Sequence, residues 1–343
     1  MKKRGRGIAT IMFGFGYGEG FPDHSIASAE IEDNGKILIR TAAADVGQGV
    51  LTTITQIAAE VLKVKPEAIR IIPGDTHLTK NSGSSSATRQ TFFTGNAVKE
   101  ASEGLLSNIY HYASIEFKSN HVELGIKDGF IFRKDNPNNQ LSYWELAKRV
   151  NKRGDDLKAE ASFFPHTDKP DPKTGQGEKV YVAYTFVTQV IDVEVDTDTG
   201  IVEVLKVYTA ADIGKAINPQ NIEGQIEGGT VQGIGMALME EQVIKEGITL
   251  NPDLTGYLIP TSMDTPHFTT QLVENEDSEG PFGAKGVGEP STIATAPAIA
   301  NAIYDAIGVR IYHLPITPEK ILKALKEETK NKRGEKMSRG RFF

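Results

Sequence analysis

Gly280-Pro281-Phe282-Gly283-Ala284-Lys285-Gly286-Val287-Gly288-Glu289-Pro290-Ser291 reads as a glycine-rich loop that delivers one carboxylate just ahead of a helix start. Three glycines in the six positions 283–288 open backbone conformations closed to other residues and let the chain approach a ligand closely. Upstream, residues 257–259 and 268–273 have strand character. Downstream, Thr295-Ala296-Pro297 opens a helix over 298–307 that Gly308 stops. Strand, loop and helix in that order make this end of the chain α+β. By itself the loop fits an ordinary turn as readily as a catalytic one, so Glu289 as a candidate base needs support from elsewhere.

A chain of 343 residues, 39% of them hydrophobic, exceeds one typical domain, and two lobes are expected. Net charge is −7, and the basic run 330–343 leaves the body of the chain still more acidic, which argues against a nucleic-acid surface. That run reads as a solvated, flexible tail. With no cysteine, the chain has no disulfide, thiolate zinc site or iron–sulfur cluster of its own. No stretch approaches the roughly 18 apolar residues of a membrane helix, and the basic start Met1–Arg6 lacks the pattern of a leader. A soluble, cytoplasmic protein with no membrane contact is expected.

Gly14, Gly16, Gly18 and Gly20 alternate, but position 19 is Glu and no helix-period run follows, so a dinucleotide fingerprint is rejected in favour of an irregular loop. Asn34-Gly35 predicts a hairpin between strands at 28–31 and 36–41. Asp45-Val46-Gly47-Gln48-Gly49 then leads into a helix with Ile54, Ile57, Ala58, Val61 and Leu62 on one face. A strand at 69–72, a polar loop 81–89 and a helix from about 93 to 114 follow. Asp128-Gly129 marks another hairpin, and Ser142 with Glu145 a capping box. Residues 154–179 read as a long exposed connection, with a first lobe over 1–180 and a second over 181–329.

The second lobe opens with β-rich runs at 181–196 and 201–210. Asn218-Pro219 caps and starts a helix whose interior holds Gly224, Gly228, Gly229, Gly233 and Gly235, each costing roughly 1 kcal/mol relative to alanine. The pairs Gly224/Gly228 and Gly229/Gly233 make a surface for close approach, either of a flat ligand or of a neighbouring element. A last helix starts at Thr317-Pro318-Glu319.

Gly47-Gln48-Gly49, Ser86-Ala87-Thr88-Arg89, Gly224-Gln225 with Gln232, and Gly286-Val287-Gly288-Glu289 each combine small residues with an amide, hydroxyl or carboxylate near an element end. A large polar cofactor held by hydrogen bonds needs such donors, because its buried polar atoms must be paired. Gly83-Ser84-Ser85-Ser86 approaches a serine-hydrolase elbow, but position 87 is Ala and no strand directly precedes it.

Asp-Val-Gly-Gln-Gly-Val before an amphipathic helix, Ala-Thr-Arg ahead of Gly-Asn-Ala-Val, Asp-Ile-Gly with Ile-Asn-Pro and Gly-Gln-Ile-Glu-Gly-Gly, and Gly-Ala-Lys-Gly-Val-Gly-Glu-Pro occur in that order. Over about residues 5–328 they resemble the C-terminal half of molybdopterin-binding subunits of the xanthine dehydrogenase/aldehyde oxidase family. The resemblance implies two mixed α/β lobes of the α+β class. It implies that Glu289 is the catalytic base, deprotonating a molybdenum-bound hydroxide that attacks an electron-poor carbon while hydride passes to a sulfido or selenido ligand. Burial would raise such a carboxylate toward working pH.

By the same resemblance Val46, Gly47, Gln48 and Gly49 adjoin the cofactor, with Gln48 on the oxo-ligand side of the metal. Ser86, Ala87 and Thr88 contact the pterin or its phosphate, Gln225 hydrogen-bonds the pterin, and Gly288 adjoins Glu289. The metal takes its bonds from the pterin dithiolene and small ligands, so no residue binds it directly. The expected cofactor is molybdopterin in its cytosine dinucleotide form.

One-piece subunits of the family are about twice as long, and their earlier half carries the substrate clamp. The start Lys3-Arg4-Gly5-Arg6-Gly7-Ile8 resembles that of separate medium subunits, as in nicotinate dehydrogenase and bacterial purine hydroxylases. The expected partners are a large molybdopterin subunit completing the active site, an iron–sulfur subunit with 2Fe–2S centres and an FAD subunit. The expected substrate is an N-heteroaromatic, first a xanthine- or hypoxanthine-type purine, with nicotinate or an aldehyde as alternatives. A non-catalytic assembly subunit is the rival from another class, and the intact Glu289 and Gln48 speak against it.

Overall fold

A computed structural model describes residues 1–339, with side chains as far as residue 330. Along the chain come strands β1 (Lys2–Gly14), β2 (Ser25–Ile31) and β3 (Ile37–Thr41), helix α1 (Val50–Leu62), β4 (Ile69–Pro73) and α2 (Gln90–Phe117). A small meander β5 (Leu124–Lys127), β6 (Phe130–Arg133), β7 (Asn136–Ser142) leads to α3 (Tyr143–Asn151) and β8 (Lys158–Phe163). Then follow β9 (Tyr184–Asp196), β10 (Val202–Asp212), α4 (Pro219–Leu238), the short pair β11 (Ile244–Lys245) and β12 (Ile248–Thr249), β13 (His267–Val273), α5 (Pro290–Ile293), α6 (Thr295–Ile307) and α7 (Pro318–Arg339).

The first sheet has the order β4-β3-β2-β8, with only β3 and β4 parallel. Its inner face, including Ala27, Ala29, Ile37 and Ile39, packs with Ile54, Ile57 and Leu62 of α1 and Ala97, Leu105 and Ile109 of α2. The second sheet runs β1-β9-β10-β13, with β10 and β13 parallel. Ile191, Val193 and Val195 of β9 pack there with Ala298, Ala302 and Ile303 of α6. A Cβ on Gly5 would lie 2.2 Å from the Ala302 carbonyl oxygen, and one on Gly7 2.1 Å from that of Ala298, so bare backbone lets the helix press onto β1.

The predicted caps are present. Ser142 and Glu145 form the reciprocal capping box, the Asn218 side chain accepts from the Asn221 N–H at 3.0 Å, and Gly308 ends α6 at φ 71°. Local structure departs from the expected pattern at several places. Residues 2–14 form a long strand in the sheet of the later residues, although the sequence division groups them with the first lobe. The expected exposed connection contains β8, which pairs with β2 as an edge strand. Residues 257–259 are not a strand; Asn251 instead ties their loop down, donating to the carbonyls of Glu241 and Gly256. The run expected as a flexible tail continues α7 as far as Arg339; its side chains beyond Lys330, and residues 340–343, lie outside the described residues. Among the described residues no helix is long and apolar enough to cross a membrane.

Candidate active site

Between β3 and α1 the chain turns through Asp45–Gly49. The Asp45 carboxylate accepts from the N–H groups of Gly47 (2.9 Å), Gly49 (3.2 Å) and Leu51 (3.3 Å). Burial pushes its pKa upward, but those three donors outweigh it and hold the group below the ordinary aspartate value. Gly47 and Gly49 sit at φ 108° and 79°, where other residues are strained. Gln48 braces the same loop, with Oε1 accepting from the Val46 N–H at 2.6 Å and Nε2 donating to the Ala44 carbonyl at 2.9 Å.

The second loop is shaped from beneath by Arg89, whose side chain is fully buried. It pairs with Asp23 at 2.6 Å and donates to the carbonyls of Ser82 (2.7 Å), Ser84 (3.1 Å) and His24 (2.6 Å). Its guanidinium lies 4.7 Å from the centre of the Phe93 ring, and Nε has no partner. Ser85 Oγ donates to the Ala44 carbonyl at 2.7 Å, which ties this loop to the first and leaves the serine without the base a nucleophile needs. Tyr17, Ser84 and Ser86 form a hydroxyl cluster, and its hydrogen bonds from Ser84 and Ser86 lower the Tyr17 pKa.

The glycines of α4 do both jobs the sequence left open. A Cβ on Gly229 would lie 2.8 Å from Ser291 Cβ and one on Gly233 2.4 Å from Thr295 Cβ, so this pair packs against α5 and the start of α6. Gly224 and Gly228 have nothing within 4 Å and leave their side of the helix open.

The fourth loop is anchored on β10. Lys285 N–H donates to the Ile213 carbonyl at 3.0 Å, and Lys285 Nζ pairs with Asp212 Oδ2 at 2.8 Å in a nearly buried contact. Beyond it a Cβ on Gly286 would fall 2.2 Å from the Thr88 carbonyl oxygen, so only glycine lets the second and fourth loops meet there. Where they meet, Thr88 Oγ1 donates to Glu289 Oε2 at 2.6 Å. Glu289 is exposed, so the burial expected for it is not supplied by this chain.

The three loops and one side of α4 line a single open cavity of about 560 Å³, a size suited to a cofactor or substrate. Val46, Gly47, Gln48, Ser86, Thr88, Gln225, Gly288 and Glu289 line it. Gly49 and Ala87 stand behind the wall: Gly49 caps α1, and the Ala87 carbonyl accepts from the Gly16 N–H at 2.9 Å. Sequence reasoning did not single out Asp45, Gln90 or Lys285: Asp45 bonds within its own loop and Gln90 donates to the nearby Ser84 carbonyl at 2.9 Å, whereas Lys285 depends on Asp212, 73 positions earlier. The lining is mostly amides, hydroxyls and bare glycine backbone, with Glu289 its one carboxylate. No group of three His, Cys, Asp or Glu residues able to hold a metal occurs among the described residues. The amides, hydroxyls and open glycine backbone fit a large polar ligand.

The molybdopterin cofactor-binding domain family matches residues 1–266. The gamma subunit of the 6-hydroxypseudooxynicotine dehydrogenase complex of Paenarthrobacter nicotinovorans is 32% identical, over 93% of this chain and 39% of that protein. A protein of Bacillus subtilis (strain 168), named as a subunit of a probable xanthine dehydrogenase, is 34% identical, over 94% of this chain and 42% of its own length. Among solved structures, quinoline 2-oxidoreductase from Pseudomonas putida 86 matches with a TM-score of 0.82 at 27% identity, over 95% of this chain and 42% of that one. The chain thus spans about two-fifths of the length of these proteins.

Proposed function

The chain belongs to the molybdopterin cofactor-binding domain family, and from that premise we propose that it is the medium, molybdopterin-binding subunit of a multi-subunit molybdenum hydroxylase. The reaction is hydroxylation of an electron-poor carbon of an N-heteroaromatic compound, with water as the oxygen source. A xanthine- or hypoxanthine-type purine is the first choice of substrate, supported by the likeness to a protein named for xanthine. Nicotinate and aldehydes are the alternatives.

The observation that carries this reading is the placement of Glu289, the one carboxylate among the lining residues of a cavity otherwise built to hold a polar ligand. Gln48 would stand on the oxo-ligand side of the metal, Gln225 would hydrogen-bond the pterin, and Ser86, Ala87 and Thr88 would contact the pterin or its phosphate. Gly47 and Gly228, with no neighbour where a Cβ would stand, leave room for a flat ring system. When bound, the molybdenum centre supplies the acceptor for the two electrons that leave the substrate carbon. Glu289 takes the proton released as the nucleophilic oxygen attacks, and its second oxygen, Oε1, has no protein partner among the described residues.

Exposure of Glu289 and the likeness to relatives named as subunits both support a site completed by a large molybdopterin subunit. Iron–sulfur and FAD subunits would carry the electrons onward, in the cytoplasm, with the cofactor in its cytosine dinucleotide form. The chain is read as two lobes, 1–180 and 181–329, with strand β1 joining the sheet of the second.

The test is Glu289→Gln in the co-purified complex. Molybdenum content is expected to hold while turnover falls by about 10²–10⁴-fold, the contribution of a positioned base. Retained turnover would remove the catalytic assignment. Expressed alone, the chain is expected to carry little molybdenum, and full occupancy would refute a site shared between subunits.

A further inference from the structure

We propose that Thr88 is the positioning residue of Glu289, fixing which carboxylate oxygen is free to take the proton; this rests on the reading of Glu289 as the base. The Thr88 hydroxyl makes two contacts with that one residue, donating to Oε2 at 2.6 Å and accepting from the Glu289 N–H at 3.2 Å. With its single proton committed to Oε2, the hydroxyl fixes the carboxylate's rotation and leaves Oε1 as the open acceptor.

The backbone is arranged for this contact. Ala87 and Thr88 both lie in the left-handed region, at φ 53° and 54°, an uncommon conformation for a non-glycine residue and a strained one for β-branched threonine. The Ala87 carbonyl is held by the Gly16 N–H, and Gly286 has no Cβ to keep the Thr88 carbonyl away. An extended backbone at Thr88 would turn the side chain away from a residue 201 positions further along the chain.

The experiment compares Thr88→Val, Thr88→Ser, Glu289→Gln and the double variant Thr88→Val/Glu289→Gln in the purified complex. Valine keeps the shape and β-branching and removes only the hydroxyl. Thr88→Val is expected to lower kcat about ten- to a hundredfold at nearly constant KM and full molybdenum content, with Thr88→Ser recovering most of the rate. In a crystal structure of the Thr88→Val complex the Glu289 carboxylate should leave its wild-type rotamer. In the Glu289→Gln background the valine should cost nothing further, because the two residues act as a unit. An equal loss in both backgrounds, loss of molybdenum, or an unmoved carboxylate would overturn the positioning role and leave the base assignment standing. Wild-type turnover in Glu289→Gln would instead overturn the base assignment and with it this proposal.

Discussion

Lys285 Nζ and Asp212 Oδ2 meet at 2.8 Å with side-chain exposures of 6% and 11%, an ion pair sealed beneath the loop that carries Glu289. A buried pair adds little net stability while intact, since desolvation offsets the attraction, but removing one partner leaves an uncompensated charge. Lys285→Met is therefore expected to destabilise the fold by about 3–5 kcal/mol. Asp212→Leu on top of it should recover much of that loss. Chemical denaturation of the three proteins checks the prediction, and a Lys285→Met protein as stable as wild type would refute it.

The α4 glycines should separate into three behaviours under alanine substitution. Gly224→Ala fills open space and is expected to stabilise by about 0.5–1 kcal/mol through helix propensity alone. Gly228→Ala should stabilise similarly but lower the molybdenum content of the complex, because its methyl enters the cavity wall. Gly233→Ala places a methyl 2.4 Å from Thr295 Cβ and is expected to cost about 1–3 kcal/mol. Melting temperature and metal analysis on the same preparations discriminate the three.

Asp45 provides a pH test. Its folded-state pKa lies below the ordinary 3.8, with burial opposing and the Gly47, Leu51 and Gly49 N–H groups outweighing it. A carboxyl depressed in this way contributes stability that is present above the unfolded value and is lost as pH falls through the folded one. Asp45→Ala should therefore be less stable than wild type at pH 7, and the gap should shrink below about pH 3.8. Urea midpoints at pH 7 and at pH 3.5 measure it; a gap that is the same at both would rule out the carboxylate as its source.

Local grammar was readable where a short-range rule applies. Asn34-Gly35, the Ser142/Glu145 box, the Asn218 cap and the Gly308 stop each depend on residues within a few positions, and each stands where expected. β1 escaped notice because its helix-facing positions include Gly5 and Gly7 instead of apolar side chains, and its partner β9 lies some 180 residues later. β8 escaped notice because its buried-side residues include small alanines between charges, in a stretch that otherwise reads as loop.

The order and composition of four glycine-bearing segments lie in the sequence itself, and they sufficed to name the family and to nominate Glu289 as a candidate base. Tertiary structure decided what no run of residues states: that those segments line one open cavity, that Arg89 and Lys285 hold two of them from below, and that Thr88 grips Glu289. The reason is distance along the chain. Hydrogen bonds and ion pairs between residues tens to hundreds of positions apart exist only once two sheets have packed their helices and brought the loop ends together.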